Sequence, residues 1–296
     1  MKKGITFKRI LLLLIIPMIL IITTQKASPK YYQTDQANLN QIMKKVAEYC
    51  ERVKSIALFY VCKENIKDKR KFYRVSNTLR IKPYGSPEFI LDLKTLRLRR
   101  TRNISYLYDY QLINKEQKLQ EQRTLLKKNN RKKIIENAKL EARFNAKYLV
   151  YGPVGFLSRY WQNYFNYEIT GRESLGKIQA AIIRATPKPN NKENWNFAKI
   201  WINEKDSSIL QIEWESESFY DFDGKNIASM SGEFRTVTMW RVTYGIKKNG
   251  VRFPSRQHIQ EFLVSESGKR YLRNEIVTIF NDYKFFIVET EVKYNP

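Results

Sequence analysis

Histidine is almost missing from this chain: His258 is the only one, and cysteine is limited to Cys50 and Cys62. A zinc site takes three or four ligands, mostly His and Cys, so the inventory leaves no such site. A Ser-His-Asp triad could form only around His258, which sits mid-strand in Arg256-Gln-His-Ile-Gln260 with no nucleophile elbow nearby. Neither a P-loop nor a Gly-x-Gly-x-x-Gly fingerprint occurs. Asp221-Phe-Asp223-Gly224 matches only the opening of a calcium loop, lacks the later ligands, and reads as a hairpin turn. Glu213, Glu215 and Glu217 share one side of a strand. Paired carboxylates can run glycoside hydrolysis, but a charged run on the outer face of a sheet is the commoner origin of this pattern. These shortages point away from an enzyme, with a carboxylate-based hydrolase as the enzymatic alternative, and no cofactor or metal is expected.

Long apolar runs are scarce too. The only one, Ile10 to Ile22, is broken by Pro17, follows Lys2, Lys3, Lys8 and Arg9, and precedes Thr23-Thr-Gln-Lys-Ala-Ser-Pro29. It is shorter than the roughly 20 residues a bilayer crossing needs and has the three regions of a secretory signal. Residues 1–27 are expected to be a leader ending at Ala27. Gln25 at the −3 position fits cleavage poorly, so an uncleaved N-terminal anchor is the alternative. The rest is expected to work outside the cytoplasm, in the periplasm or cell envelope of a bacterium. In such an oxidising setting two cysteines suggest a Cys50–Cys62 disulfide; two buried free thiols are the other reading.

Positive charge is abundant and unevenly placed. The chain totals +25, and residues 63–149 hold 24 Lys/Arg against 9 Asp/Glu, a local excess of +15. For an exported chain this stripe suits anionic lipid headgroups, or only solvates a surface; nucleic acid is not an expected partner. The candidate basic surface, within 94–133, comprises Arg97, Arg99, Arg100, Arg102, Lys127, Lys128, Arg131, Lys132 and Lys133.

Leu39, Ile42, Met43, Val46, Ala47, Cys50 and Val53 fall at helical spacing and predict one amphipathic helix over about 38–55. Ile56 to Cys62 reads as a strand, and 63–103, charged and holding Pro83, Gly85 and Pro87, as a loop-rich basic insertion or a mobile strand pair. Segments 104–113 and 119–126 form a hairpin, 127–133 a basic turn, and 134–146 a short helix. Gly152-Pro153 opens a second helix whose wide face carries Phe156, Leu157, Tyr160, Trp161, Tyr164 and Phe165. From 165 onward alternation predicts strands at about 165–173, 177–186, 197–204, 208–217, 232–246, 252–264, 270–280 and 285–294, separated by turn residues. The expected architecture of 28–296 is a single mainly β (α+β) domain. In it a strongly bent antiparallel half-barrel has its greasy face closed by two or three helices.

Several motifs carry a family resemblance. Glu48-Tyr-Cys50, Phe59-Tyr-Val-Cys62-Lys-Glu64, Tyr108-Asp-Tyr-Gln-Leu-Ile113 and Arg123-Thr-Leu-Leu126 are followed by Tyr151-Gly-Pro-Val154, Lys199-Ile-Trp-Ile202, Phe253-Pro-Ser255 and a closing Asp282–Tyr294 strand. Together they resemble the exported outer-membrane lipoprotein-sorting proteins with a LolA/LolB-like half-barrel, in an uncharacterised bacterial branch. The resemblance implies an open bent sheet over an apolar cavity, and a non-enzymatic carrier or sensor that holds a lipid or lipoprotein acyl chain. Trp161, Phe165, Trp240, Phe286 and Val288 are the expected cavity lining. The chain lacks the lipobox cysteine a LolB-like protein carries, and 63–103 has no counterpart in the family. The alternative is a cell-envelope interaction protein with a filled core, whose basic surface meets anionic lipid or a protein.

Overall fold

A computed structural model describes residues 29–58, 60–78, 93–115, 118–142, 149–189, 197–215 and 234–286, with side chains left out at 29–35, 76–78 and 93–95. The expected leader, the 79–92 part of the basic insertion, the Asp221 turn, Glu217, Val288 and the strand at 287–294 lie outside the described residues. The chain divides into a unit ending at Gln41 and one from Ile42 to Pro296. The helix α1 (Pro29–Ile56) begins in the first, where Gln36 Nε2 donates to Asn40 Oδ1 at 3.1 Å. It starts nine residues before the predicted onset: Pro29 suits a first helical turn, and the polar 31–38 stretch carries no apolar stripe to announce it.

The second unit is dominated by one open, wholly antiparallel sheet of eleven strands, in the order β4-β3-β2-β1-β13-β12-β9-β8-β7-β6-β5. These are β1 (Tyr60–Thr78), β2 (Leu93–Lys115), β3 (Lys118–Lys128), β4 (Arg131–Ile135), β5 (Phe165–Leu175), β6 (Ile178–Pro187), β7 (Ala198–Asn203), β8 (Ile209–Trp214), β9 (Phe234–Thr243), β12 (Arg256–Ser265) and β13 (Arg270–Phe285). A separate pair, β10 (Ile246–Lys248) and β11 (Val251–Phe253), forms a small ribbon. The mainly β, antiparallel expectation therefore holds. The sheet is not a closed barrel, because β4 and β5 remain its edges.

Topology follows from where β1 sits. The chain lays β1 down centrally, walks out through β2 and β3 to the β4 edge, then crosses to the opposite edge. The crossing carries a 3₁₀ turn at Leu149–Tyr151, the short α2 (Gly152–Leu157) and a second 3₁₀ turn at Trp161–Tyr164. It then returns strand by strand until β13 pairs with β1. The long aromatic helix predicted from Gly152 breaks at Ser158, whose backbone is extended (φ −64°, ψ 154°). No helix forms over 134–142, the described part of 134–146: 131–135 is strand, 136–137 turn and 138–141 coil. The insertion expected at 63–103 is largely strand, since 60–78 and 93–115 pair from Val61↔Gln111 to Thr78↔Leu93. Dense charge hid the period-two pattern there, because cations stand on both faces of the outer part.

Ladder register shows that one face runs unbroken across the sheet, since directly paired residues point the same way. One row reads Tyr106↔Ile66↔Thr278↔Gln257↔Val242↔Ile212↔Ile200↔Ile183↔Ile169. The next reads Ile104↔Asp68↔Ile276↔Ile259↔Trp240↔Trp214↔Ala198↔Ala185↔Tyr167. This is the inner face. Over β5–β9 it is met by α2: the Phe156 ring lies 5.4 Å from Phe165 and 6.1 Å from Trp214. A Cβ on Gly152 would come within 2.8 Å of Tyr244 Oη, so α2 approaches at backbone distance. Tyr244 in turn donates to the Leu149 carbonyl at 2.8 Å.

The α1 residues Met43, Val46, Ala47, Cys50 and Val53 are buried, as their spacing predicts. Gln162 Nε2 donates to the Met43 carbonyl at 2.9 Å, tying α1 to the second 3₁₀ turn. Cys50 Sγ points at the Pro153 carbonyl, 3.7 Å away, while Cys62 faces inward on β1. Both are buried free thiols, so the expected disulfide is not formed: one thiol belongs to the helix packing and the other to the sheet. Burial raises both thiols to about 12, which leaves them protonated and inert.

The predicted strands at 232–246 and 252–264 each bend once. Gly245 N donates to Ser255 Oγ at 3.1 Å, and a Cβ at Gly245 would sit 2.7 Å from that oxygen. Only a glycine allows this crossing. Beyond it, the β10–β11 hairpin turns at Asn249-Gly250 (φ 49° and 74°) and reaches α1, where Arg252 N donates to Tyr49 Oη at 3.1 Å.

Candidate binding face and basic ribbon

Two covers divide the inner face. Over β1–β3, β12 and β13 the described cover is the coil segment 138–142, while at the other end Phe253 of β11 packs on Tyr60, Tyr283 and Phe285. The coil lies on a buried cluster of Ile66, Ile104, Tyr106, Tyr108, Leu125, Ile259 and Ile276, to which it contributes Ala142, with Ala138, Leu140 and Trp240 packed against it. The segment is held by few bonds: Ala138 N to the Arg123 carbonyl at 2.8 Å, Glu141 N to Tyr108 Oη at 3.5 Å, and a Lys128–Glu141 ion pair. Trp240 stands at the junction of the two halves, stacked on Trp214 with centroids 4.0 Å apart and planes 13° apart.

This half also buries charge. Arg123 Nε donates to Glu64 Oε2 at 2.7 Å and Nη1 to Glu121 Oε2 at 2.9 Å, while Tyr110 Oη donates to Glu121 Oε1 at 3.1 Å. The guanidinium lies over the Tyr110 ring at 4.7 Å. Two carboxylates thus share one cation away from water. Burial pushes the Glu64 carboxyl above its usual range, against the opposing pull of Arg123. Along the same face Asp68 accepts from Arg70 at 2.6 Å, and Asn274 donates to Glu261 at 2.5 Å. The sequence carries a signal for this cluster: Glu64 and Asp68 share parity with Cys62 and Ile66 in β1. Likewise Ile104, Tyr106, Tyr108 and Tyr110 alternate inward in β2, outside the lining expected from the sequence.

The residues expected to line a cavity are placed unevenly. Phe165 is buried between Phe156 and Tyr167, and Trp240 occupies the junction. Trp161 is half-buried, 5.2 Å from the Tyr160 ring and 5.6 Å from Tyr164. Phe286 is 54% exposed at the end of β13.

The basic residues gather at the outer end of the β1–β2 pair, on both of its faces, and beyond it. Arg97, Arg99, Arg100 and Arg102 are exposed on β2; Lys127, Arg131, Lys132 and Lys133 are exposed and Lys128 half-buried on the β3–β4 hairpin. That hairpin turns at Asn129-Asn130 (φ 48° and 62°), and Asn129 N donates to the Ser105 carbonyl at 2.8 Å. The turn is thereby fixed beside β2. Asn129 borders two open grooves: one of about 550 Å³ with Lys67, Lys69, Asn103 and Glu275, one of about 530 Å³ with Lys128, Arg131, Lys132 and Lys133.

The chemistry weighed at the outset is absorbed by pairing. His258 Nε2 lies 3.2 Å from Glu275 Oε1; Glu213 pairs with Arg241 and Glu215 with Arg184. Among the described residues no three His, Cys, Asp or Glu side chains converge as a metal site, and no helix is long and apolar enough to cross a membrane.

No protein-family model matches the chain, and no curated protein matches it. Solved structures do. A LolA superfamily protein from Nitrosomonas europaea is 11% identical, with a TM-score of 0.33 over 83% of this chain and 94% of that one. An outer membrane lipoprotein-sorting protein domain from Vibrio parahaemolyticus is 9% identical, with a TM-score of 0.32 over 84% and 95%. A DUF1329 family protein from Desulfovibrio piger is 8% identical, with a TM-score of 0.38 over 85% and 94%. These neighbours include the lipoprotein-sorting group that the sequence motifs resemble. At such identities and scores the likeness is loose and carries no residue's role across.

Proposed function

We propose that this protein is a non-enzymatic binding protein of the cell envelope that carries or senses an acyl chain of a lipid or lipoprotein. The chain would lie on the inner face of β1–β3, β12 and β13. One observation carries this reading: among the described residues the Ile66, Tyr106, Tyr108, Leu125, Ile259 and Ile276 surface is covered by the 138–142 segment, through Ala138, Leu140 and Ala142, with Trp240 beside it. A hydrocarbon can replace these three small apolar side chains at little cost. The segment's few hydrogen bonds are each worth about 0.5–1.5 kcal/mol net, and burying fresh methylenes returns about 0.8 kcal/mol apiece. Trp240, at the rim of the surface, reports entry of a ligand.

Lipid-stripped protein incubated with palmitate or a diacylated lipopeptide is expected to give a one-to-one adduct in native mass spectra, with a blue shift of Trp240 emission that Trp240→Phe removes. Leu140→Ala, which loosens the cover, is expected to tighten binding. Absence of any adduct with both probes would overturn the reading.

A further inference from the structure

Two strands leave the sheet together. β13 stops pairing with β1 at Arg70↔Asn274 and β3 stops pairing with β2 at Tyr106↔Lys128. From Lys71↔Thr101 to Thr78↔Leu93, β1 and β2 therefore pair only with each other among the described residues. The ribbon so formed is acid-free: residues 69–78 contain four Lys/Arg and residues 93–103 five, with no Asp or Glu in either stretch. No ion pair neutralises Arg97, Arg99, Arg100 or Arg102 among the described residues.

We propose that this ribbon, with the β3–β4 hairpin beside its base, docks the protein on a bilayer surface carrying anionic headgroups. Charge alone does not choose that partner; the apolar residues set among the cations do. Phe72 is 47% exposed, Leu98 53% and Ile134 59%. Each is flanked by cations: Lys71 precedes Phe72 and Arg100 lies 6.0 Å from its ring centroid; Arg97 and Arg99 bracket Leu98; Lys132-Lys133 precede Ile134. Register sets Phe72 with Arg100 on one face of the ribbon and Leu98 with Tyr73 on the other, so both faces offer an apolar group beside long cationic side chains, as suits a ribbon lying in the headgroup layer. Cations on unpaired strands also block aggregation, but that role needs no Phe72, Leu98 or Ile134 in water. Nucleic acid would use the arginines, yet the aliphatic Leu98 and Ile134 offer neither stacking nor hydrogen bonds to bases.

The proposal is independent of the acyl-binding reading, because it concerns the β1–β2 ribbon beyond Arg70↔Arg102 and not the cluster under 138–142. Its test is flotation of the full chain with vesicles of phosphatidylglycerol and phosphatidylcholine, against phosphatidylcholine alone, at low and high salt. Binding is expected only with the anionic lipid and to weaken as salt rises. The double variant Arg97→Glu/Arg100→Glu is expected to weaken it roughly tenfold or more. Phe72→Ser/Leu98→Ser should remove the part that survives high salt. The charge-matched pair Lys177→Glu/Lys205→Glu, on the exposed β5–β6 and β7–β8 turns, should bind like the parent; every variant carries the same N-terminal segment, so that segment cancels. Parent-like binding by the arginine variant, equal loss in the control pair, or preference for a duplex oligonucleotide over anionic vesicles would overturn the proposal. Unchanged melting curves confirm that these exposed substitutions leave the fold intact.

Discussion

Along the inner face from β5 to β9 the two central rows are Ile169, Ile183, Ile200, Ile212 and Val242, and Tyr167, Ala185, Ala198, Trp214 and Trp240. Continued into β12, β13 and β1, the same rows admit Gln257, Thr278 and Asp68, with Glu64, Glu261 and Asn274 at neighbouring inward positions. One face of one sheet is thus built in two ways, under two different covers. Helix α2 and the turn before it accept bonds from Tyr167 Oη at the Phe156 carbonyl and from Tyr244 Oη at the Leu149 carbonyl, and otherwise meet the sheet through apolar side chains such as Phe156. The coil 138–142 has unpaired peptide groups, and buried peptides need partners; the sheet beneath it supplies the Arg123 carbonyl and Tyr108 Oη. The thinly covered half is the one in which the proposed ligand would lie.

The largest expected effect tests whether that half depends on its buried ions. Arg123→Met leaves Glu64 and Glu121 buried with no cation between them, and should cost about 3–5 kcal/mol at neutral pH, read from urea midpoints. Adding Glu64→Gln should recover a substantial part of the loss. By contrast Ile200→Val, fully buried in the helix-covered half, should cost only about 0.5–1.5 kcal/mol and show no pH dependence. An Arg123→Met protein as stable as the parent would mean that the ion cluster is not what holds this half.

A second effect, intermediate in size, concerns how the helix-covered half is closed at its end. Gly245→Ala places a methyl 2.7 Å from Ser255 Oγ and 3.0 Å from its Cβ, and overpacking of that kind costs about 1–3 kcal/mol. Thermal unfolding should show the loss, and Gly245→Ala/Ser255→Gly should return most of it. If the single variant melts like the parent, the bend that carries Arg252 to Tyr49 tolerates more room than its backbone contacts indicate.

The helix-covered half was legible in the sequence and the other half much less so. The alternation of Ala198, Ile200 and Ile202 and of Thr238, Trp240, Val242 and Tyr244 predicts strands with a buried side, and these residues are buried or half-buried as read. Asn249-Gly250 and Ser267-Gly268 mark turns that occur, the latter with Gly268 at φ 81°. Periodicity failed where charge enters inward positions: Glu64, Asp68 and Arg123 look like solvent residues until the ladder sets them against Tyr108, Ile104 and Tyr110. It failed again at 134–142, where polar and apolar residues at near-helical spacing form a strand end and a coil, because the pattern records the cover's contact with the sheet and not a helix. The basic residues were visible in the sequence; that 97–102 forms a ribbon with 70–74 of β1 is a matter of strand pairing, which composition does not encode.

The smallest expected effect is the pH dependence that separates the two halves. The Glu64 carboxyl is raised by burial in the folded state, so its contribution to stability is fully present below the unfolded value near 4.5 and is lost as pH rises through the folded value. On mild acidification from neutrality the β1–β3 half should therefore gain stability, and Glu64→Gln should flatten that rise. Asp206 behaves in the opposite sense: although partial burial works against it, hydrogen bonds from Lys247 and Ser208 lower it to about 2. Its contribution is present above the unfolded value near 3.8 and disappears as pH falls through about 2. Amide exchange followed from pH 7 to pH 4 should then show protection rising around Tyr108 and Ile66 while that of Ile200 and Ile212 stays level. A uniform response of both halves would dissolve the distinction, since it would mean that the sheet opens as a single cooperative body and that the 138–142 cover has no independent freedom to admit a ligand.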